Sequence, residues 1–144
     1  MTSKVSLASE TRIKSKESTQ SSQLSLLSLG DLLLRYFKEM ERHDFVQNVT
    51  LQMKNGRRQK IDFWFEKDRF GLLVLDWARS CGINVVIRTN NLRKELPGLV
   101  DRIGIAANFF SEPAEVLAQK MDVIMVLRKD IEEILSIRDH QNLL

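Results

Sequence analysis

The chain has 144 residues, of which 43% are hydrophobic and 28% charged, and its formal net charge is +3. These values predict one domain with an ordinary hydrophobic core, and the surplus of Lys and Arg fits either a nucleic-acid partner or solubility alone. The single cysteine, Cys81, excludes an internal disulfide and a multi-cysteine zinc site. No apolar run approaches the roughly 20 residues that span a bilayer, and the first residues lack the apolar core of a signal peptide. We therefore expect a cytoplasmic protein with no membrane partner.

Residues 1–23 form a polar tail that is rich in Ser and Thr. Such a composition buries too little apolar surface to offset chain entropy, so the tail is expected to be disordered. It serves either as a solubilising segment or as an electrostatic arm that touches phosphates. Residues 24–144 are expected to form a single α/β domain.

The ordered part is predicted to begin with a helix. Ser28 is a good N-cap residue, and Asp31 follows three positions later. From Leu29 to Met40, apolar residues recur at three- and four-residue spacing, which is typical of an amphipathic helix. The helix is expected to end near His43 or Asp44.

A run of strands is predicted next. Residues 45–54 alternate in part between apolar and polar, as a half-buried strand does. Asn55-Gly56 predicts a type I′ hairpin turn, which needs positive φ at both positions. Residues 60–66 then form the return strand, and the apolar run 72–75 predicts a strand that is buried on both faces.

The second half of the chain reads as alternating helices and strands. Residues 83–96 fit either a strand or a helix, but a parallel pairing of the flanking strands needs a crossover, which favours a helix over 84–96. The remaining predicted elements are a strand at 102–108, a helix at 112–120, a strand at 123–127 and a helix at 130–138. The fold class is therefore α/β with a mixed central sheet.

This order, together with the stretches KIDFWFEKDRFGLLVLDWARSCGINVV and RIGIAANFFSEPAEVLAQKMDVIMV, resembles the PD-(D/E)XK nuclease superfamily. Within it, the pattern resembles archaeal and bacterial Mrr-like and resolvase-like proteins. The resemblance covers roughly residues 28–128. It implies the restriction-endonuclease-like fold, with a mixed sheet flanked by helices, and an ancestral metal-dependent cleavage of DNA.

The resemblance also implies a site. An acidic residue on one strand, and a carboxylate two positions before a lysine on the next, hold Mg²⁺ or Mn²⁺, often with a glutamate from the first helix. Asp62 matches the first acidic position. Leu73 and Leu75 stand where the second carboxylate and the lysine belong, and Leu34 falls near the helix glutamate. Because leucine has no oxygen ligand, we expect a degenerate site with Asp62 as its remnant, no catalytic residue and no metal cofactor.

A migrated site is the alternative. Asp62 together with Asp76 or Glu66 would then bind Mg²⁺ or Mn²⁺ and support an active endonuclease. Asp76 lies one position beyond the lysine position, so strand alternation does not assure that it faces Asp62. Glu66 shares the predicted face of Asp62 but lies about 13 Å along the strand.

Three functions follow from these residues. The favoured one is a non-catalytic DNA-binding or structural subunit, either paired with an active relative or forming a homodimer. The second is the active endonuclease, and the third is a protein-interaction subunit without a nucleic-acid role, using Phe109-Phe110 or the last helix with its Leu143-Leu144 end. The candidate DNA contacts are the basic residues Arg57, Arg58, Lys60, Arg79, Arg88, Arg93 and Lys94.

Two aromatic positions keep two interpretations each. Trp64 and Trp77 lie in or beside strands, where such residues belong to the core more often than they stack on unpaired bases. Phe109-Phe110 is expected to be strand-end core rather than interface.

Asp76 and Arg79 are expected to form a salt bridge at the corner after the third strand.

Overall fold

The computed structural model describes residues 23–143, whose long elements are five strands and four helices. In chain order these are α1 (Leu29–Glu39), β1 (Val46–Gln52), β2 (Arg58–Phe65), β3 (Phe70–Leu75), α2 (Ile83–Lys94), β4 (Arg102–Ala107), α3 (Glu112–Met121), β5 (Val123–Leu127) and α4 (Arg128–Leu143). Apart from its last residue, the tail predicted over 1–23 lies outside the described residues, as does Leu144. No helix within 23–143 is long and apolar enough to cross a membrane.

The strands form one mixed sheet in the order β1-β2-β3-β4-β5. β1, β2 and β3 are antiparallel neighbours, whereas β3, β4 and β5 run parallel. Parallel neighbours need crossover connections, and these are α2 and α3. The α/β class, the mixed sheet and the helix predicted over 84–96 are thus confirmed.

Helices cover both faces of the sheet. Val86 of α2 and Ala114 of α3 pack with Ile103 and Ile105 of β4 in one core, which we call the α2/α3 core. Leu33 and Phe37 of α1, Leu135 of α4, and Phe63 and Phe65 of β2 belong to a second core on the other face, the α1/α4 core.

Helix α1 begins as predicted and ends earlier than predicted. The Ser28 hydroxyl accepts a hydrogen bond from the backbone N–H of Asp31 at 3.1 Å. At the other end, Glu41 has φ +55° and donates to the carbonyl of Lys38, while Arg42 donates to the carbonyl of Phe37. This pair of hydrogen bonds is a Schellman motif. It closes the helix at Glu39 instead of near His43.

The predicted type I′ turn at Asn55-Gly56 is wrong. Only Gly56, with φ +90°, has positive φ in this loop. Met53 donates to the carbonyl of Arg57 at 2.7 Å and accepts from Gly56 at 3.0 Å. The connection is therefore a three-residue loop, in which a turn is followed by a left-handed glycine. The Asn55 side chain accepts from the backbone N–H of Arg57 at 2.9 Å and stabilises this alternative.

Candidate functional site

Strands β2 and β3 separate from each other at Asp62. Their pairing runs from Phe65 opposite Phe70 to Phe63 opposite Leu72. Beyond that point, Asp62 Oδ2 accepts a hydrogen bond from the backbone N–H of Val74 at 2.7 Å. A side-chain carboxylate thus takes the place of a backbone acceptor, and the two strands form a fork.

Strand β2 also changes face at this residue. Ile61 belongs to the α2/α3 core and Phe63 to the α1/α4 core, although residues two apart share a face of a regular strand. On β1, Asn48 lies between the residues that pair with Phe63 and Ile61, and it has φ +53°. Such an irregularity redirects side chains, as β-bulges do.

A cleft of about 390 Å³ lies between this fork and helix α2. Its strand side is formed by Lys60, Asp62, Leu73 and Leu75. Its helix side includes Arg88. The cleft thus combines an apolar surface with two cations and one carboxylate.

The structure brings together three of the four positions that the resemblance singled out. Asp62, Leu73 and Leu75 all line the cleft. Leu34 instead packs against the α1/α4 core. Asp62 is already engaged on both oxygens, because Oδ2 accepts from Val74 and Oδ1 lies 3.6 Å from Lys60 Nζ.

The alternative metal ligands are not gathered at the cleft. Asp76 Oδ2 accepts from the first backbone N–H of α1, at Leu29, and Oδ1 accepts from Asn108 Nδ2 at 2.8 Å. The Asn108 hydrogen bond, the Leu29 hydrogen bond and the charge of Arg128 lower the pKa of Asp76. Glu66 is exposed in the β2–β3 turn. Across residues 23–143, no group of three or more His, Cys, Asp or Glu side chains could hold a metal ion.

A polar network that the sequence analysis missed surrounds Asp76. Arg128 donates to Asn108 Oδ1 at 3.3 Å and pairs with Glu132 at 2.7 Å. The same guanidinium donates to backbone carbonyls of the segment before α1, among them that of Leu24 at 3.1 Å. A signal was present in the sequence, since Asp76, Asn108 and Arg128 each follow an apolar strand directly, and the carboxyl ends of parallel strands meet at one edge of a sheet.

The candidate basic residues fall into separate places. Lys60 and Arg88 line the cleft. Arg79 stacks over the Trp77 ring at 4.2 Å from its centroid, so the expected Asp76–Arg79 salt bridge is replaced by a cation–π contact. Burial raises the pKa of the Cys81 thiol, and the nearby charges of Arg79 and Arg88 oppose that shift. Both guanidinium groups therefore lie within electrostatic range of Cys81.

The other basic candidates lie outside the cleft. Arg57 and Arg58 are exposed at the β1–β2 hairpin, and Lys94 is exposed at the end of α2. Arg93 donates to Asn90 Oδ1 at 2.8 Å, which ties it to its own helix.

The aromatic residues divide in the same way. Trp64 donates from Nε1 to the carbonyl of Leu99 at 3.1 Å and packs against the α2/α3 core, as expected of a core residue. Trp77 instead lines the cleft. Phe110 packs against the α2/α3 core, but Phe109 is 53% exposed, so the core prediction is right for Phe110 and wrong for Phe109.

Comparisons with known proteins support the fold alone. No protein-family model matches the chain, and no curated protein matches it. A crystal structure described as a protein of unknown function, AF1548, has a TM-score of 0.53 and 19% identity, covering 69% of this chain and 57% of that one. This chain thus spans little more than half the length of that protein. Protein VC1899 from Vibrio cholerae has a TM-score of 0.49 and 14% identity, over 75% of this chain and 31% of that one.

Proposed function

We propose that this protein is a non-catalytic, DNA-binding member of the restriction-endonuclease-like nuclease fold. The element order supports the proposal: a helix, an antiparallel three-strand unit, a crossover helix and a parallel strand follow one another as the resemblance implies. Fold alone does not assign a function, so the functional assignment depends on the residues of the cleft.

One observation carries the proposal, namely that Leu73 and Leu75 lie beside Asp62 in a cleft that also holds Lys60 and Arg88. Leucine side chains cannot coordinate Mg²⁺ or Mn²⁺, which take oxygen ligands. Lysine and arginine are the side chains that contact DNA phosphates. The cleft therefore has groups that attract DNA and lacks groups that would activate water at a metal.

The charge balance of the cleft favours an anion. The Asp62 carboxylate accepts from Val74 and lies against Lys60, whereas the Lys60 side chain is 61% exposed. Arg88 is exposed as well, and Arg79 adds a third cation near the rim through its stack on Trp77. Phosphate oxygens complement this arrangement.

DNA binding is tested by fluorescence anisotropy over a series of salt concentrations. Because each phosphate contact releases counterions, we expect Lys60→Ala and Arg88→Ala each to reduce the slope of log K against log salt by about 1. Matched controls remove the same charges elsewhere: Lys129→Ala at an exposed position of α4, and Arg102→Ala at an exposed position at the start of β4. Equal effects from cleft and control variants would contradict the proposal, as would the absence of salt-sensitive binding.

Cleavage is tested separately with Mg²⁺ and Mn²⁺ on linear and branched DNA. We expect no cleavage by wild type under either metal, since Asp62 has no second carboxylate beside it in the cleft. Metal-dependent cleavage that disappears in Asp62→Ala would contradict the non-catalytic assignment and support the active endonuclease.

A second candidate function, a protein-interaction or homodimeric subunit, is favoured by exposed apolar side chains. Phe109 is 53% and Ile83 42% exposed. The backbone N–H of Cys81 donates a hydrogen bond of 2.8 Å to the carbonyl of Phe109. Phe109 therefore lies beside the start of α2, where Ile83 is located. Sedimentation velocity at increasing concentration is expected to show self-association of wild type that Phe109→Ser reduces. A monomer at every concentration would contradict the homodimer.

A further inference from the structure

The surface of the cleft is apolar although its rim is charged. Leu73 and Leu75 of β3 face Val85 and Leu92 of α2 across it, with Trp77 also in the lining. Both β3 leucines are only partly buried. Covering exposed apolar surface with another apolar group lowers the free energy. This lining therefore fits a flat apolar ligand better than a bare anion.

The cations at the rim restrict that ligand further. Lys60 lines the strand side of the cleft and Arg88 lines the helix side. Lys60 Nζ lies 3.6 Å from Asp62 Oδ1, a contact that leaves its remaining protons available. A ligand that matches both features has a planar apolar body joined to a negative charge, as a nucleotide does.

The size of the cleft limits the ligand to one unit. Its volume of about 390 Å³ lies near the lower end of the range for small-molecule sites, which is about 300–1,000 Å³. A base that is paired and stacked within a duplex cannot enter such a space, because its faces are covered by its neighbours. An unpaired base can enter.

Trp77 is held in place for stacking. The Arg79 guanidinium lies over the ring at 4.2 Å from its centroid. The guanidinium packs on one face of the indole ring, and planar aromatic surfaces stack on bases of any sequence. Trp64 does not line the cleft, and its Nε1 donates a hydrogen bond to the Leu99 carbonyl.

We infer that the cleft holds one unpaired nucleotide of single-stranded DNA, with the base on Leu73 and Leu75 beside Trp77 and the phosphate at Lys60 and Arg88. This inference rests on the proposed DNA-binding function and names its substrate class. Leucine at the two positions where the resemblance expects metal chemistry then has a use of its own, because it supplies the surface on which the base lies.

The test compares three labelled DNAs of about 12 nucleotides, a length within the usual range of single-strand sites. They are a single strand, the same sequence as a duplex, and a single strand of abasic sugar-phosphate. The intact single strand is expected to bind about 10-fold more tightly than either of the others. Trp77→Ala and Leu75→Ala are expected to weaken its binding about 5-fold or more, without changing the salt slope or the binding of the abasic strand.

Val116→Ala is the matched control, because it truncates an exposed apolar side chain of α3 outside the cleft. Thermal unfolding by circular dichroism verifies that each variant is folded. Equal affinity for the three DNAs, with no effect of Trp77→Ala, would overturn the inference and leave phosphate binding in place. If none of the DNAs binds at low salt, the proposed function fails and the inference fails with it. If free deoxyadenosine monophosphate binds as tightly as the strand, the assignment to single-stranded DNA is overturned.

Discussion

Asp76 joins three elements through one carboxylate. It follows β3, it accepts from the backbone N–H of Leu29 at the start of α1, and it accepts from Asn108 after β4. We expect Asp76→Ala to lower the free energy of unfolding by about 1 kcal/mol, the usual effect of losing a helix-capping oxygen. Urea denaturation measures this.

The matched control for Asp76→Ala is Asp101→Ala. Asp101 forms an ion pair with Arg69 at 3.5 Å in which the side chains are 58% and 56% exposed. Exposed pairs of this kind contribute about 0–1 kcal/mol, so the control is expected to have the smaller effect. An equal loss in both variants would show that Asp76 does not hold α1.

The pH dependence of stability follows from the same carboxylate. Its pKa in the folded protein lies below the ordinary value of 3.8, first because of the Asn108 hydrogen bond and then because of the Leu29 hydrogen bond. Its contribution is therefore complete above the unfolded-chain pKa and disappears as pH falls through the folded-state pKa. We expect the stability difference between wild type and Asp76→Asn to be present at about pH 7 and to shrink toward about pH 2. A difference that stays constant over this range would contradict the assignment.

At the scale of elements, the end of α1 has a residue that geometry disfavours. Glu41 occupies the left-handed position of the Schellman motif with φ +55°, where glycine is most common. We expect Glu41→Gly to stabilise the protein by about 0.5 kcal/mol, because relief of backbone strain exceeds the added entropy of the unfolded chain. Lys38→Gly, within the helix and exposed, should destabilise by about 1 kcal/mol. A destabilising Glu41→Gly would contradict the motif.

Strand β4 requires glycine for packing. A Cβ at Gly104 would lie 3.1 Å from the Ile124 carbonyl oxygen and 3.2 Å from Phe70 Cζ. We expect Gly104→Ala to destabilise by about 1–3 kcal/mol, as overpacking does. Gly30→Ala in α1, where a Cβ meets nothing within 4 Å, should instead stabilise by up to about 1 kcal/mol. Thermal unfolding of both variants checks the opposite signs, and equal signs would contradict the packing.

The sequence predicts most elements because apolar runs and helical spacing are local properties. Helix α2 is an exception: its own pattern is ambiguous, and only the need for a crossover between β3 and β4 indicates a helix. The hairpin at Gly56 shows another limit. Asn-Gly indicates a left-handed residue, but it does not determine how many residues the loop contains.

The fork could not be predicted from the sequence. The alternation of β2 gives no sign that Ile61 and Phe63 enter different cores. The change of face depends on the hydrogen bond that the Asp62 carboxylate accepts from the backbone N–H of Val74 on the neighbouring strand. Leu73 and Leu75 could be paired with Asp62 only through the resemblance. The meeting of Arg88 with these residues depends on how α2 packs, which no local pattern specifies.

At the scale of the whole molecule, the two faces of the sheet differ: one carries an aromatic core and the other carries the cleft. The α1/α4 core includes four phenylalanine rings whose centroids lie 5.2–5.5 Å apart in the pairs that Phe37 and Phe45 form with Phe63 and Phe65. Edge-to-face and tilted rings at such distances stabilise a core beyond their buried area. The α2/α3 face carries the cleft instead, so the cleft and the aromatic core lie on opposite faces of the sheet.

We propose that the cleft has the layout of a metal-dependent nuclease site in which leucines replace the ligands. Isothermal calorimetry with Mn²⁺, on wild type and on the double variant Leu73→Glu with Leu75→Lys, tests it most directly. We expect no binding by wild type and saturable binding by the double variant. Adding Asp62→Asn to the double variant is expected to abolish that binding, because two carboxylates would then no longer converge on the metal. Mn²⁺ binding by wild type, or a folded double variant that binds none, would contradict it.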